Sequence, residues 1–159
     1  MYIKILNIFD KAKNFVVQDI LDVVAETPIV EDEENMQPYK VRRIYSFHQA
    51  GFSLSVNEEE QLCKAIFYVQ EDEKFKKYME YPDFFNSIDA LNEAEKTLGK
   101  PARQLSSNSF VFYYFQAVNY WQVLKFSKNH DLLSLSILSN SAIPKQFSTG
   151  EQIIRTCKG

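Results

Sequence analysis

The sequence predicts an α+β fold: two units, each a helix followed by a three-stranded antiparallel meander, packed as one domain. Three observations carry this expectation. Two segments, 3–25 and 88–98, place apolar residues at helical spacing. Each is followed by three short runs rich in β-branched and aromatic residues. The two sets of runs also match in order, which marks an internal repeat.

The first helix has its apolar face at Ile5, Ile8, Phe9, Ala12, Val16, Ile20, Val23 and Val24, with Asp19 and Asp22 opposite. Asn14 is a point where it can divide in two. Thr27-Pro28 ends it, because the residue before proline avoids the helical region. Residues 31–38, EDEENMQP, read as an acidic loop. Val41–His48 is the first strand. Phe52, Leu54 and Val56 alternate with Ser53, Ser55 and Asn57, the pattern of a half-buried second strand, and Gly51 suits the turn before it. Glu58-Glu59-Glu60 is a turn, and Leu62–Val69 the third strand.

Residues 70–86 form a polar connection. In the second helix Ile88, Leu91, Ala94 and Leu98 mark a face that also includes Glu95. Ser87 is its expected cap, Asp89 favours its first turn, and Gly99 with Pro101 stops it. Three strands follow at Phe110–Gln116, Val118–Phe126 and Leu132–Leu138, the last two joined by the turn Ser127–Asp131. The units therefore span 1–70 and 71–140, and 141–159 is a polar tail containing Ile153-Ile154, either a short helix or partly disordered.

At an offset of 70 residues, Leu54 meets Leu124, Val56 meets Phe126, Leu62 meets Leu132, Ala65 meets Leu135 and Phe67 meets Ile137. Alternation assigns the faces. Phe52, Leu54, Val56, Cys63, Ala65, Phe67, Tyr120, Leu124, Phe126, Leu133, Leu135 and Ile137 are expected to face the helices. Lys64, Ile66, Tyr68, Trp121, Val123 and Leu132 are expected on the other face, which an antiparallel sheet can leave open to water. Tyr68, Ile66, Trp121 and Val123 would then form an exposed apolar patch of the kind that marks an interaction site.

Composition narrows the function. The chain of 159 residues suits one domain. A net charge of −3 disfavours direct nucleic-acid binding, which needs a positive field. Four glycines, with no GxGxxG or Walker pattern, argue against a phosphate-cradling loop. Cys63 and Cys157 lie far apart and form no metal or redox motif, as suits a reducing compartment. The first ten residues lack a cleavage site, and no apolar run approaches the roughly 20 residues of a membrane span. A cytoplasmic protein is expected. His48 and His130 stand alone, there is no GxSxG elbow, and the carboxylates cluster in turns. The expectation is therefore no enzyme, no metal and no cofactor. Aromatic residues, at 14%, suit both a strand core and a recognition face.

The stretch Gly51–Arg103, "GFSLSVNEEEQLCKAIFYVQ" then "FKKYMEYPDFFNSIDALNEAEKTLGKPAR", is followed by "FVFYYFQAVNYW" and "VLKFSKNHDLLSLSIL". This order of helix, LG-x-P, Trp in a strand and strand-turn-strand resembles small bacterial immunity proteins that neutralise a cognate toxin, as in contact-dependent growth inhibition. It also resembles the tandem helix-plus-meander units of β-lactamase inhibitor protein and of the lipoprotein BamE. The absence of a lipobox disfavours the lipoprotein. The resemblance implies a cytoplasmic inhibitor, monomer or weak homodimer, that occludes the active site of a toxin protein. The acidic turn Glu58, Glu59 and Glu60 and the open-face aromatics Tyr68 and Trp121 are the expected partner-binding residues. Against a nuclease toxin, whose groove is basic, the acidic side chains would stand in for phosphates. The alternatives are a small hydrolase and a homodimeric scaffold module.

Overall fold

The computed structural model of the chain describes residues 1–11, 16–35, 41–80, 89–142 and 154–156. One sheet contains eight antiparallel strands. These are β1 (Ile29–Glu34), β2 (Val41–Phe47), β3 (Phe52–Val56), β4 (Leu62–Tyr68), β5 (Arg103–Ser106), β6 (Phe110–Gln116), β7 (Tyr120–Ser127) and β8 (Leu132–Ser139). A short ninth, β9 (Ile154–Thr156), lies parallel to β5. The order across the sheet is β1-β2-β3-β4-β8-β7-β6-β5-β9, so two meanders meet where β4 pairs with β8.

Each meander has four strands, one more than the three expected. The extra strand of the first is β1, in what reads from sequence as an acidic loop. Its acids are matched across the pair: Asp32 faces Arg43 and Glu33 faces Arg42, with ion pairs of 2.8 and 2.6 Å. Cross-strand neutralisation and the β-branched Ile29 and Val30 overcome the low strand propensity of Asp and Glu. Residues 36–38 of that expected loop lie outside the described residues. The extra strand of the second is β5, in the polar segment after Pro101.

The helices are α1 (Tyr2–Asp10), α2 (Val17–Leu21) and α3 (Ala90–Leu98), with a 3-10 turn at Asn140–Ala142. The long first helix expected at 3–25 is thus two short ones, and Ala12 and Asn14 lie outside the described residues. The cap of α3 is Asp89, whose carboxylate accepts from the Asn92 N–H. The expected cap Ser87 lies outside the described residues. Gly99 closes the helix at φ 81°, its N–H donating to the Glu95 carbonyl at 2.9 Å.

All three helices pack on one face of the sheet. Tyr2, Ile5 and Phe9 of α1, Ile20 of α2 and Ala90 and Ala94 of α3 join Phe47, Phe52, Leu54, Phe67, Leu124, Leu135 and Ile137 in the main core. Phe47 stacks on Phe52 with ring centres 4.7 Å apart, and Tyr2 meets Phe67 edge-on at 5.4 Å. Each such ring contributes about 1.5–3 kcal/mol by its burial. Ala90 and Ala94 are the buried positions of α3.

A bulge lies between Ser55 and Val56 in the β3–β4 pair, and another between Lys125 and Phe126 in the β7–β8 pair. Each adds a residue and reverses the alternation beyond it. This corrects part of the face assignment. Leu132, expected on the open face, is in the main core, whereas Leu133 is only half-buried. The alternating exposure expected of β3 is corrected separately: all five residues are buried, Ser53 and Ser55 included.

Residues 70–80 form a strap around the β2–β3 turn. The Lys76 N–H donates to the His48 carbonyl and the Tyr78 N–H to the Tyr68 carbonyl, both at 2.8 Å. The Tyr78 hydroxyl in turn accepts from the Tyr2 N–H at 2.8 Å, which ties the strap to α1.

Candidate functional site

Directly paired residues share a face, so the register defines what the face opposite the helices carries. At its centre Ile66 of β4 pairs with Ser136 of β8. On one side of them Tyr68, Ser134 and Lys125 form a row across β4, β8 and β7. On the other side Lys64, Leu138 and Trp121 form a second row. Phe112 and Tyr114 of β6 wall one side. Together these strands line a groove of about 220 Å³.

Both ends of the groove are closed by packing. Phe75 of the strap stacks on Tyr68 with ring centres 4.0 Å apart, and His48 meets Phe75 edge-on at 4.6 Å. At the other end Trp121, Tyr114, Val123 and Leu138 form a second apolar cluster with Ala102, Leu105 and Ala142. The expected exposure of Trp121 and Val123 is therefore corrected: they are 6% and 5% exposed. The strand β5 and the turn after β8 provide apolar neighbours that alternation alone does not reveal. Ile66 and Tyr68 are half-buried.

The face is rich in cations. Lys64 and Lys125 line the groove, and Arg42 and Arg103 flank it. Burial, then the neighbouring Arg42, pushes the Lys64 ammonium below the usual lysine range. Among the described residues no carboxylate lies within 4.0 Å of Lys64 or Lys125. Lys125 Nζ sits over the Phe110 ring, 3.9 Å from its centre. Arg42 pairs with Glu33, and Arg103 donates to the Ala102 carbonyl at 2.7 Å, yet among the described residues the buried Nε of each has no partner. Glu31 and Glu33 stand on the same face at the β1 edge. Burial raises the Tyr68 and Tyr114 phenols, so both are neutral hydrogen-bonding groups at neutral pH.

The expected partner-binding residues are divided by the fold. Tyr68 is in the groove and Trp121 in the cluster beside it. Glu58, Glu59 and Glu60 are exposed on the β3–β4 turn, past the far end of β4 from Tyr68, roughly 20 Å away at strand spacing. The Asn57 side chain shapes that turn, accepting from the Glu59 and Gln61 N–H groups at 3.0 and 2.9 Å. Glu60 takes φ 58°. Glu58 and Glu60 line a different hollow, about 300 Å³, with Val16, Arg43 and Tyr45. Lys125, Ser134 and Ser136 were not among the sequence candidates. Their signal was present in the alternation of Trp121, Val123 and Lys125, but only the β4–β8 pairing brings them beside Lys64.

His130 is exposed in a turn at φ 66°. Cys63 is buried and donates to the Ser55 carbonyl at 3.2 Å; Cys157 lies outside the described residues. Among the described residues no cluster of His, Cys, Asp or Glu could hold a metal, and no helix is long and apolar enough to cross a membrane. In comparisons with known proteins, no family model, curated protein or solved structure matches this chain.

Proposed function

We propose that this chain is a protein-binding module, an immunity-type inhibitor that seats a toxin on the face opposite its helices. One observation carries the reading. The three helices pack on one side of the sheet, and among the described residues the other side keeps a groove of tyrosines, serines and lysines between two apolar ends. Tyrosine and arginine are the residues of binding hot spots; Tyr68 and Tyr114 line the groove, and Arg42 and Arg103 flank it. Binding by occlusion needs no cofactor, and the inhibitor would act in the cytoplasm with its toxin.

The same reading takes the chain as two α-plus-meander units related by an approximate twofold axis. The β4–β8 register supports it: Ile66 opposes Ser136, its equivalent at the 70-residue offset. The two bulges support it too, since Ser55/Val56 and Lys125/Phe126 are equivalent at that offset. The groove would then lie on the axis, where two related edges meet and their side chains differ.

The test is co-expression with candidate toxins taken from the neighbouring reading frames. The chain should rescue growth. Ser136→Trp, at the centre of the groove, should abolish rescue with the fold retained by circular dichroism. Lys96→Glu, on the exposed side of α3, should leave rescue intact. Rescue that survives Ser136→Trp would remove the open face from the reading.

A small hydrolase is the second reading, favoured by the same groove, which a lysine shifted down and two phenols shifted up line together with Ser134 and Ser136. It requires Lys64-dependent turnover of an activated ester above the buffer rate. A stable dimer by light scattering would favour the scaffold alternative.

A further inference from the structure

We infer that the groove takes a carboxylate, carried on an acidic segment of the partner protein and flanked there by apolar side chains. The inference deepens the proposed open-face contact and rests on it. Three observations assign this chemistry. First, Lys64 and Lys125 lie on diagonal corners of the groove, on either side of the Ile66–Ser136 pair. Among the described residues neither has a carboxylate in ion-pair range.

Second, a half-buried lysine beside another cation is costly unless something compensates it. Arg42 approaches Lys64 and brings more positive charge, which Glu33, itself paired with Arg42, offsets only in part. An incoming anion would neutralise the excess. Third, the surroundings are amphipathic. Ile66, Val123 and Leu138 are apolar, whereas Ser134 and Ser136 offer hydroxyl donors. This suits a carboxylate carried between apolar side chains better than a fully hydrated inorganic anion.

The experiment uses nitrogen-15-labelled full chain and three probes: acetyl-Leu-Glu-Leu-amide, the same peptide with Gln for Glu, and inorganic phosphate. The Glu peptide should shift the Ser134, Ser136 and Lys64 amides and the Trp121 indole, and bind at least roughly tenfold more tightly than the Gln peptide. Lys64→Met and Lys125→Met should each abolish that preference with the spectrum otherwise retained. Equal binding of the two peptides, no binding of either, or unchanged preference in both variants would overturn the inference. So would phosphate acting at the same amides as strongly as the Glu peptide, which would make this a small-anion site. Shifts that grow with protein concentration and are reversed by the Glu peptide would give the groove to a second copy of the chain, again overturning it. The parent reading fails separately. If Ser136→Trp loses rescue while the double variant Lys64→Met, Lys125→Met keeps it, the open face binds the toxin but not through a carboxylate.

Discussion

Gly51→Ala is the most exacting test of how the strap closes one end of the groove. Gly51 has φ 81°, a conformation that costs a residue with a Cβ roughly 1–2 kcal/mol. The larger effect is steric. A Cβ at this position would lie 2.4 Å from the Lys76 oxygen, 2.6 Å from the Tyr78 nitrogen and 2.9 Å from the Lys77 carbonyl carbon. All three are backbone atoms, so no rotamer change relieves the clash and the strap must move away. That movement breaks the Lys76–His48 and Tyr78–Tyr68 backbone bonds, each contributing about 0.5–1.5 kcal/mol. It also draws Phe75 off Tyr68 and Tyr78 off Phe67, whose ring centres are 4.0 and 4.8 Å apart. The expected loss is about 3 kcal/mol or more, a large fraction of the stability of an ordinary domain. Urea denaturation followed by the fluorescence of Trp121 measures it, and hydrogen exchange at the Lys76 and Tyr78 amides reports whether the strap has opened. A loss below about 1 kcal/mol with both amides still protected would refute the argument, because the clash would then have been absorbed without moving the strap.

Lys64→Met is expected to raise the melting temperature at pH 7. Burial and Arg42 hold the folded pKa of Lys64 below the unfolded value near 10.5, so its charge destabilises the fold throughout the range below the folded pKa. As pH rises from the folded towards the unfolded pKa the native state sheds the proton first, and the advantage of the variant should narrow; thermal melts from pH 7 to 10.5 check this. Asp89→Ala removes the α3 cap and should cost about 1 kcal/mol, measured by chemical denaturation; no change would mean that the cap contributes nothing. Leu124→Ala empties a fully buried site in β7 and should cost about 2–5 kcal/mol by the same assay, whereas a small loss would show that the core can collapse into the gap.

The sequence by itself determined the class of fold, because periodicity is local. The strands β2, β3, β4, β6, β7 and β8 and the helix α3 each carry their pattern within a few residues. So do the Gly51 and Gly99 turns. Alternation also placed Lys64, Ile66 and Tyr68 together on the face away from the helices. It did not reveal β1, whose acidic residues become a strand only because Arg42 and Arg43 stand opposite. It did not reveal the bulges, which reverse Leu132 and Leu133 through a single extra residue. Nor did it reveal that Trp121 is covered, since Leu105 and Ala142 come from other parts of the chain. The groove was the least legible feature: Lys64 and Ser134 are 70 residues apart in sequence and share a surface only through the β4–β8 pairing. Local spacing fixes what each segment can become, but a contact between distant strands depends on the register in which they meet, and that was decided by the tertiary structure.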